Sequence, residues 1–139
     1  MREIKFRAWD KSIKSFVPMM QWIEELKDAK FRILGKETVT KSHNISNLAV
    51  LLKSCNVEIT QYTGLKDVDE KEIYEGDIVK VFERMAGEDF IGKVIYDETE
   101  GCYWIMQGNE RNHCKITFDL EDYSHYVIGN IYENSELLD

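Results

Sequence analysis

A chain of 139 residues can bury a core without disulfide or metal staples, and an aromatic content of 12% excludes a disordered polymer. Three cysteines, Cys55, Cys102 and Cys114, make no disulfide framework and point to a reducing compartment. The net charge of −8 weighs against a role that rests on neutralising many phosphates, yet it is uneven: residues 1–55 hold 11 Lys and Arg against 6 Asp and Glu, and residues 56–139 hold 7 against 20.

Met1 leads straight into Arg2-Glu3-Ile4-Lys5, and no apolar run approaches a signal peptide or a membrane span. The expectation is a cytoplasmic protein with no membrane contact. The first predicted element is a half-buried strand, with Ile4, Phe6 and Ala8 on one face and Lys5, Arg7 and Trp9 on the other. Asp10-Lys11-Ser12 reads as a turn. Residues 15–19 read as a short edge strand, because Pro18 lacks a backbone donor. Residues 20–30 are ambiguous, and Phe31-Arg32-Ile33-Leu34 reads as a strand stopped by Gly35. Residues 46–54 form the best helix candidate, with Asn44 or Ser46 to cap it and Leu48, Leu51, Leu52 and Cys55 at helical spacing.

From Val57 the texture turns to strand. Val57, Ile59 and Gln61 alternate with Glu58, Thr60 and Tyr62, and residues 63–67 read as turn-rich. Five apolar segments follow, at 77–83, 90–96, 103–106, 115–120 and 126–132, parted by Gly, Asp, Asn and Glu clusters. Five short strands in about sixty residues suit a small barrel. Asn134 is placed to cap a final turn over 135–138, whose Leu137 and Leu138 fold back onto the barrel.

Three stretches together carry a family likeness. They are residues 2–10, REIKFRAWD; residues 61–67, QYTGLKD, continuing to 71–79, KEIYEGDIV; and residues 127–134, VIGNIYEN. In order and spacing they resemble the YopX family of phage and prophage proteins. The likeness implies a C-terminal Src-homology-3-like (SH3-like) barrel, a phage or bacterial-cell setting and homo-oligomers. It supplies no activity. One departure is Val68-Asp69-Glu70-Lys71, where the family has a glycine-containing turn; another is Ser135 in place of a proline. The motif residues also have a structural reading. Gly76 suits a positive φ, and Asp77 can accept nearby backbone N–H groups at a barrel corner.

Reactive side chains form no recognisable constellation. His113 and Cys114 are adjacent and would face opposite sides of a strand, so zinc is not expected, and Lys71 and Ile73 break a calcium loop begun by Asp67 and Asp69. No local nucleophile motif or phosphate-cradling glycine loop stands out, so no enzyme activity and no cofactor are expected. Lys5, Arg7 and Trp9 would make a phosphate-and-stacking patch, with Lys11 and Lys14 near, although the overall charge disfavours nucleic acid. Tyr62, Tyr74 and Trp104 belong to an aromatic surplus that suits a binding rim or a seam between two halves. The six carboxylates of residues 67–77 suit a solvated loop or, in a sharper reading, a mimic of DNA.

Together these signs predict a mainly β protein: a small SH3-like barrel over 57–139 packed against a strand-and-helix segment over 1–56. The expected role is a non-catalytic protein-binding or oligomerisation module, with self-association or a host or phage protein as partner. A nucleic-acid module built on Lys5, Arg7 and Trp9 is the alternative.

Overall fold

Short polar reversals between apolar strands organise the chain. The structure is a computed structural model that describes residues 3–17, 57–107, 110–115 and 122–139. The strand expected at 31–34 and the helix expected at 46–54 lie outside the described residues, as does most of the segment at 115–120. The chain divides into two compact units, one of Met1–Lys5 with Thr60–Asp139 and one of Phe6–Ile59. All described elements are β apart from a closing 3-10 turn at Ser135–Leu138. Among the described residues no helix is long and apolar enough to cross a membrane.

In the unit of Phe6–Ile59, β1 (Phe6–Asp10) pairs antiparallel with β2 (Ser15–Val17), Ala8 facing Val17. The Asp10 carboxylate accepts the Ser12 N–H at 2.7 Å, and Lys14 takes a φ of 51°, which closes the reversal between them. Strict alternation does not describe the burial of β1. Ala8 and Trp9 are both buried, while Phe6 is exposed. Trp9 is buried against Phe16, whose ring it meets edge-on at 4.9 Å.

β3 (Val57–Lys66) runs from one unit into the other. It continues through residues 63–66, which the sequence assigns to a turn, with a register shift between Tyr62 and Lys66 that absorbs Gly64. β3 pairs with β4 (Glu72–Tyr74). The glycine that the 68–71 turn lacks is replaced by Glu70, which adopts a φ of 64°.

β5 (Asp77–Glu83), β6 (Glu88–Asp97), β7 (Cys102–Gln107), β8 (Glu110–Lys115) and β9 (Tyr123–Asn130) form an antiparallel sheet in the order β8-β7-β6-β5-β9. β2-β1-β3-β4 is the order of the other sheet. Two antiparallel sheets of short strands are what a small β-barrel protein requires. The core of the larger unit joins Leu65, Ile73, Val79, Val81, Val94 and Ile105, with Phe90, Tyr103, Tyr123 and Val127 packed on it. β8 is a strand that the apolar pattern does not mark, because its polar sequence shows no alternation. It occupies one end of the sheet and is held in place by backbone pairing with β7.

Side-chain oxygens hold the corners. Gly76 takes a φ of 81° just before β5, and the buried Asp77 accepts the Tyr74 N–H at 2.9 Å. Asn130 accepts the N–H groups of Tyr132 and Glu133, both at 3.0 Å. Asn134 precedes the closing 3-10 turn but does not cap it. Its side chain turns back to accept the Asn130 N–H at 3.3 Å. The closing turn lies against β6, with Leu137 still 37% exposed.

Candidate functional site

The pairing of β3 with β4 sets Tyr62 opposite Tyr74, and their rings meet at 5.4 Å with a tilt of 44°. The backbone of Lys5 joins the same unit, since its carbonyl accepts the Tyr62 N–H at 2.9 Å. That contact lays the Lys5 ammonium 5.6 Å from the centre of the Tyr62 ring. The ammonium also binds Glu72 and reaches Glu3 at 3.2 Å, while the Tyr74 hydroxyl donates to Glu72 at 2.8 Å. Lys5 first, and Tyr74 second, hold the Glu72 carboxyl below its usual value. In turn the hydrogen bonds that Lys5 donates to Glu72 and then to Glu3 push Lys5 up.

Three of the expected site residues, Lys5, Tyr62 and Tyr74, therefore meet. Tyr62 is only 5% exposed, so its ring is largely spent inside the fold. Arg7 and Trp9 belong to the other unit. Arg7 lies over the Phe16 ring at 4.5 Å, and a base could stack on Trp9 only by displacing Phe16. Trp104 sits on β7 opposite Ile95 and is buried.

The acidic run of residues 67–77 is mostly committed to the fold. The buried Asp67 accepts N–H groups from Asp69 and Lys71 with one oxygen, both at 2.9 Å, and from Val127 with the other at 3.0 Å. Asp77 holds its corner, Glu72 binds Lys5, and Glu70 pairs with Lys66 at 3.2 Å. At least four of the six carboxylates thus have partners inside the chain, which leaves little of the run to imitate a phosphate backbone. Among the described residues no group of three or more His, Cys, Asp or Glu side chains is placed to hold a metal ion.

One feature escaped the sequence reading. Phe82 lies opposite Ser124 and Tyr126 opposite Lys80, so Phe82 and Tyr126 are diagonal neighbours on the face of β5 and β9 away from the core. They are 39% and 40% exposed, and Ile128, next along β9 at its bulge, is 39% exposed. The available signal was parity: Val79 and Val81 face inward, so the intervening Lys80 and the following Phe82 must face outward.

The inward face of β9 carries His125, which is 3% exposed, and its Nε2 makes no hydrogen bond among the described residues. Desolvation pushes its imidazole below the usual 6.5. The folded protein then resists protonating a group that the unfolded chain protonates freely. Stability is full above about pH 6.5 and is lost as the pH falls towards the depressed folded value. The melting temperature is expected to drop between pH 7 and pH 5, and His125→Phe should flatten that slope. An unchanged slope in the variant would assign the acid sensitivity elsewhere.

Comparison with known proteins adds two findings. A family model described as YopX protein matches residues 5–139. The crystal structure of protein EF1440 from Enterococcus faecalis is similar to the whole chain, with a TM-score of 0.55, 23% identity and full coverage of both chains. At that identity the likeness concerns the fold alone. No curated protein matches the chain.

Proposed function

From the premise that this chain belongs to the YopX protein family, we propose that it is a non-catalytic module acting by protein contact, first of all with copies of itself. The observation that carries this reading is the outward face of β5 and β9, where Phe82, Tyr126 and Ile128 are each about two-fifths exposed. Large apolar side chains grouped on a strand face give up hydration when covered by a partner, at roughly 25 cal/mol per Å². The motif residues support the same reading, since Asp67, Asp77 and Asn130 serve the corners of the fold. The setting is the cytoplasm of a bacterial cell, consistent with the family and with the reduced cysteines that the sequence favours.

Light scattering on the purified chain tests the proposal. The expected result is a mass above that of one chain at micromolar concentration. Phe82→Lys with Tyr126→Lys is expected to weaken association at least tenfold, about 1.4 kcal/mol or more. A wild-type chain that stays monomeric at every salt concentration rejects self-association. A chain that instead shifts DNA at low salt, with Lys5→Ala and Arg7→Ala abolishing the shift, would replace this reading with the nucleic-acid one.

A further inference from the structure

Strand register sets out the exposed face of the larger sheet row by row. Lys80 lies opposite Tyr126 on β9 and Ile91 on β6; two positions along, Phe82 lies opposite Ser124 and Asp89. All six share the face away from the core, because Val79 and Val81, which alternate with Lys80 and Phe82, point inward. Lys80 and Asp89 form an ion pair at 2.5 Å across the two rows, with side chains 46% and 49% exposed. Further out, Lys93 lies opposite Ile78, and the Arg84 guanidinium reaches Ser124 at 3.2 Å. The closing turn, which lies against β6, adds the exposed Glu136 and Asp139. Charges of both signs therefore surround Phe82 and Tyr126. Such a face offers no run of cations to a nucleic acid and no run of carboxylates to a basic segment. Its unlike charges, one row apart, complement the same face turned over.

Sheets that pack face to face in the aligned manner keep their strands within about 30° of each other. A two-fold axis in the contact plane then runs either along β5 or across it. An axis along β5 sets Lys80 against Lys80 of the second copy. It also turns Tyr126 towards Ile91, on the strand that the closing turn lies against. An axis across β5, level with Val81, exchanges the two rows. Lys80 of each copy then lies over the Phe82 ring of the other and beside its Asp89, while Tyr126 meets Ser124 and the flank of Phe82. Like charges meet about the first axis and unlike charges about the second.

We infer that two copies pack through this face about the axis across β5, forming a closed dimer in which each Lys80 pairs with Asp89 of the other copy. The inference rests on the self-association reading above and specifies its geometry. One surface meets itself, so assembly stops at two chains. A cavity of about 410 Å³, lined by Lys80, Asp89, Ile91 and Leu137 among others, spans both rows. The axis brings the two cavities together and covers Leu137, which is 37% exposed in the single chain.

Charge reversal in trans tests the axis. Lys80→Glu paired with itself sets carboxylate against carboxylate at both exchanged positions, and Asp89→Lys paired with itself sets ammonium against ammonium. Each variant alone is expected to associate at least tenfold more weakly than wild type. Mixed in equal amounts they restore an unlike pair at both positions, although neither chain keeps its internal pair. Association should then return to within about threefold of wild type. Both positions are exposed, and circular dichroism with a thermal melt checks that each variant folds.

Carbodiimide coupling of mixed light and heavy-isotope wild-type protein supplies a readout that needs no variant. The reagent activates the Asp89 carboxylate and the Lys80 amine displaces it, leaving an amide while the carbodiimide takes up the elements of water as its urea. Peptides joining Lys80 of one isotope to Asp89 of the other are expected. If the mixed variants associate no better than either alone, if no mixed-isotope peptide forms, or if wild type assembles beyond two chains, the two-fold geometry is wrong and self-association stands. A monomeric wild type removes both.

Discussion

Replacing Asp67 by alanine is expected to destabilise the protein by about 3–5 kcal/mol, the largest effect of any single carboxylate removal among the described residues. The carboxylate is 6% exposed and accepts three backbone N–H groups from two distant parts of the sequence. Asp69 and Lys71 are exposed and can turn to water, but the Val127 N–H lies on β9 beneath the turn. That N–H would otherwise point away from β5 along the edge of the sheet, where an unpaired strand invites a foreign one. Asp67 and the Val68 N–H, which donates to the His125 carbonyl at 3.1 Å, together cover this edge.

Asp67→Asn separates the two duties. Its amide oxygen can keep the Asp69 and Lys71 bonds, while its NH₂ group would face the Val127 N–H and lose that bond. About half the cost of the alanine variant is expected in urea unfolding. Hydrogen exchange should show the Val127 amide exposed in both variants and the Lys71 amide protected only in Asp67→Asn. Equal protection of Val127 in wild type and variants would show that the turn does not close the edge.

The second large effect is expected at Gly92. It lies on β6 between β5 and β7, opposite Val79. An added Cβ would stand 2.6 Å from Ile105 Cγ2 and 2.8 Å from the Met106 carbonyl oxygen. The first neighbour is a fully buried side chain and the second is the backbone of the adjacent strand, so neither can withdraw cheaply. Gly92→Ala is expected to cost about 3 kcal/mol. Gly76→Ala is the contrast. There a Cβ finds ordinary contacts of 3.5 Å, and the φ of 81° supplies the penalty, about 1–2 kcal/mol. A double-mutant cycle with Ile105→Ala distinguishes the causes, because removing Cγ2 should recover part of the Gly92→Ala cost and none of the Gly76→Ala cost. Purely additive effects at positions 92 and 105 would refute the steric account.

Much of the β architecture was legible in the residues. Asp77–Glu83 was readable as a strand because its apolar side chains were bounded by the Gly76-Asp77 corner, and the bounds match. The segments at 90–96 and 103–106 fall inside β6 and β7. β8 was not legible because Glu110-Arg111-Asn112-His113-Cys114-Lys115 carries no hydrophobic period. Residues 63–66 were misassigned because Thr-Gly-Leu-Lys has turn chemistry, which a register shift inside a strand also uses. The family likeness rested on motifs whose physical meaning emerged only with coordinates. Asp67 appeared as one acid in a charged run, and its role depends on Val127, sixty positions away.

The candidate site was less legible than the fold. Lys5 was legible as a candidate for a basic patch and Tyr62 and Tyr74 as candidates for a binding rim or a seam; that the three meet at Glu72 depends on tertiary structure. Phe82 and Tyr126 were passed over, although each alternates with inward-facing neighbours.

Local chemistry alone determined β5, β6, β7 and most of β9, the reversals at their ends and the membership of the family, because side-chain period and turn residues act over a few positions. Which side of each strand is covered was settled by tertiary structure. Alternation defines two faces but cannot say which neighbour arrives on either. Trp9 is buried because Phe16 meets it, Asp67 is spent because β9 reaches it, and Phe82 stays two-fifths exposed because none of the described residues covers more of it.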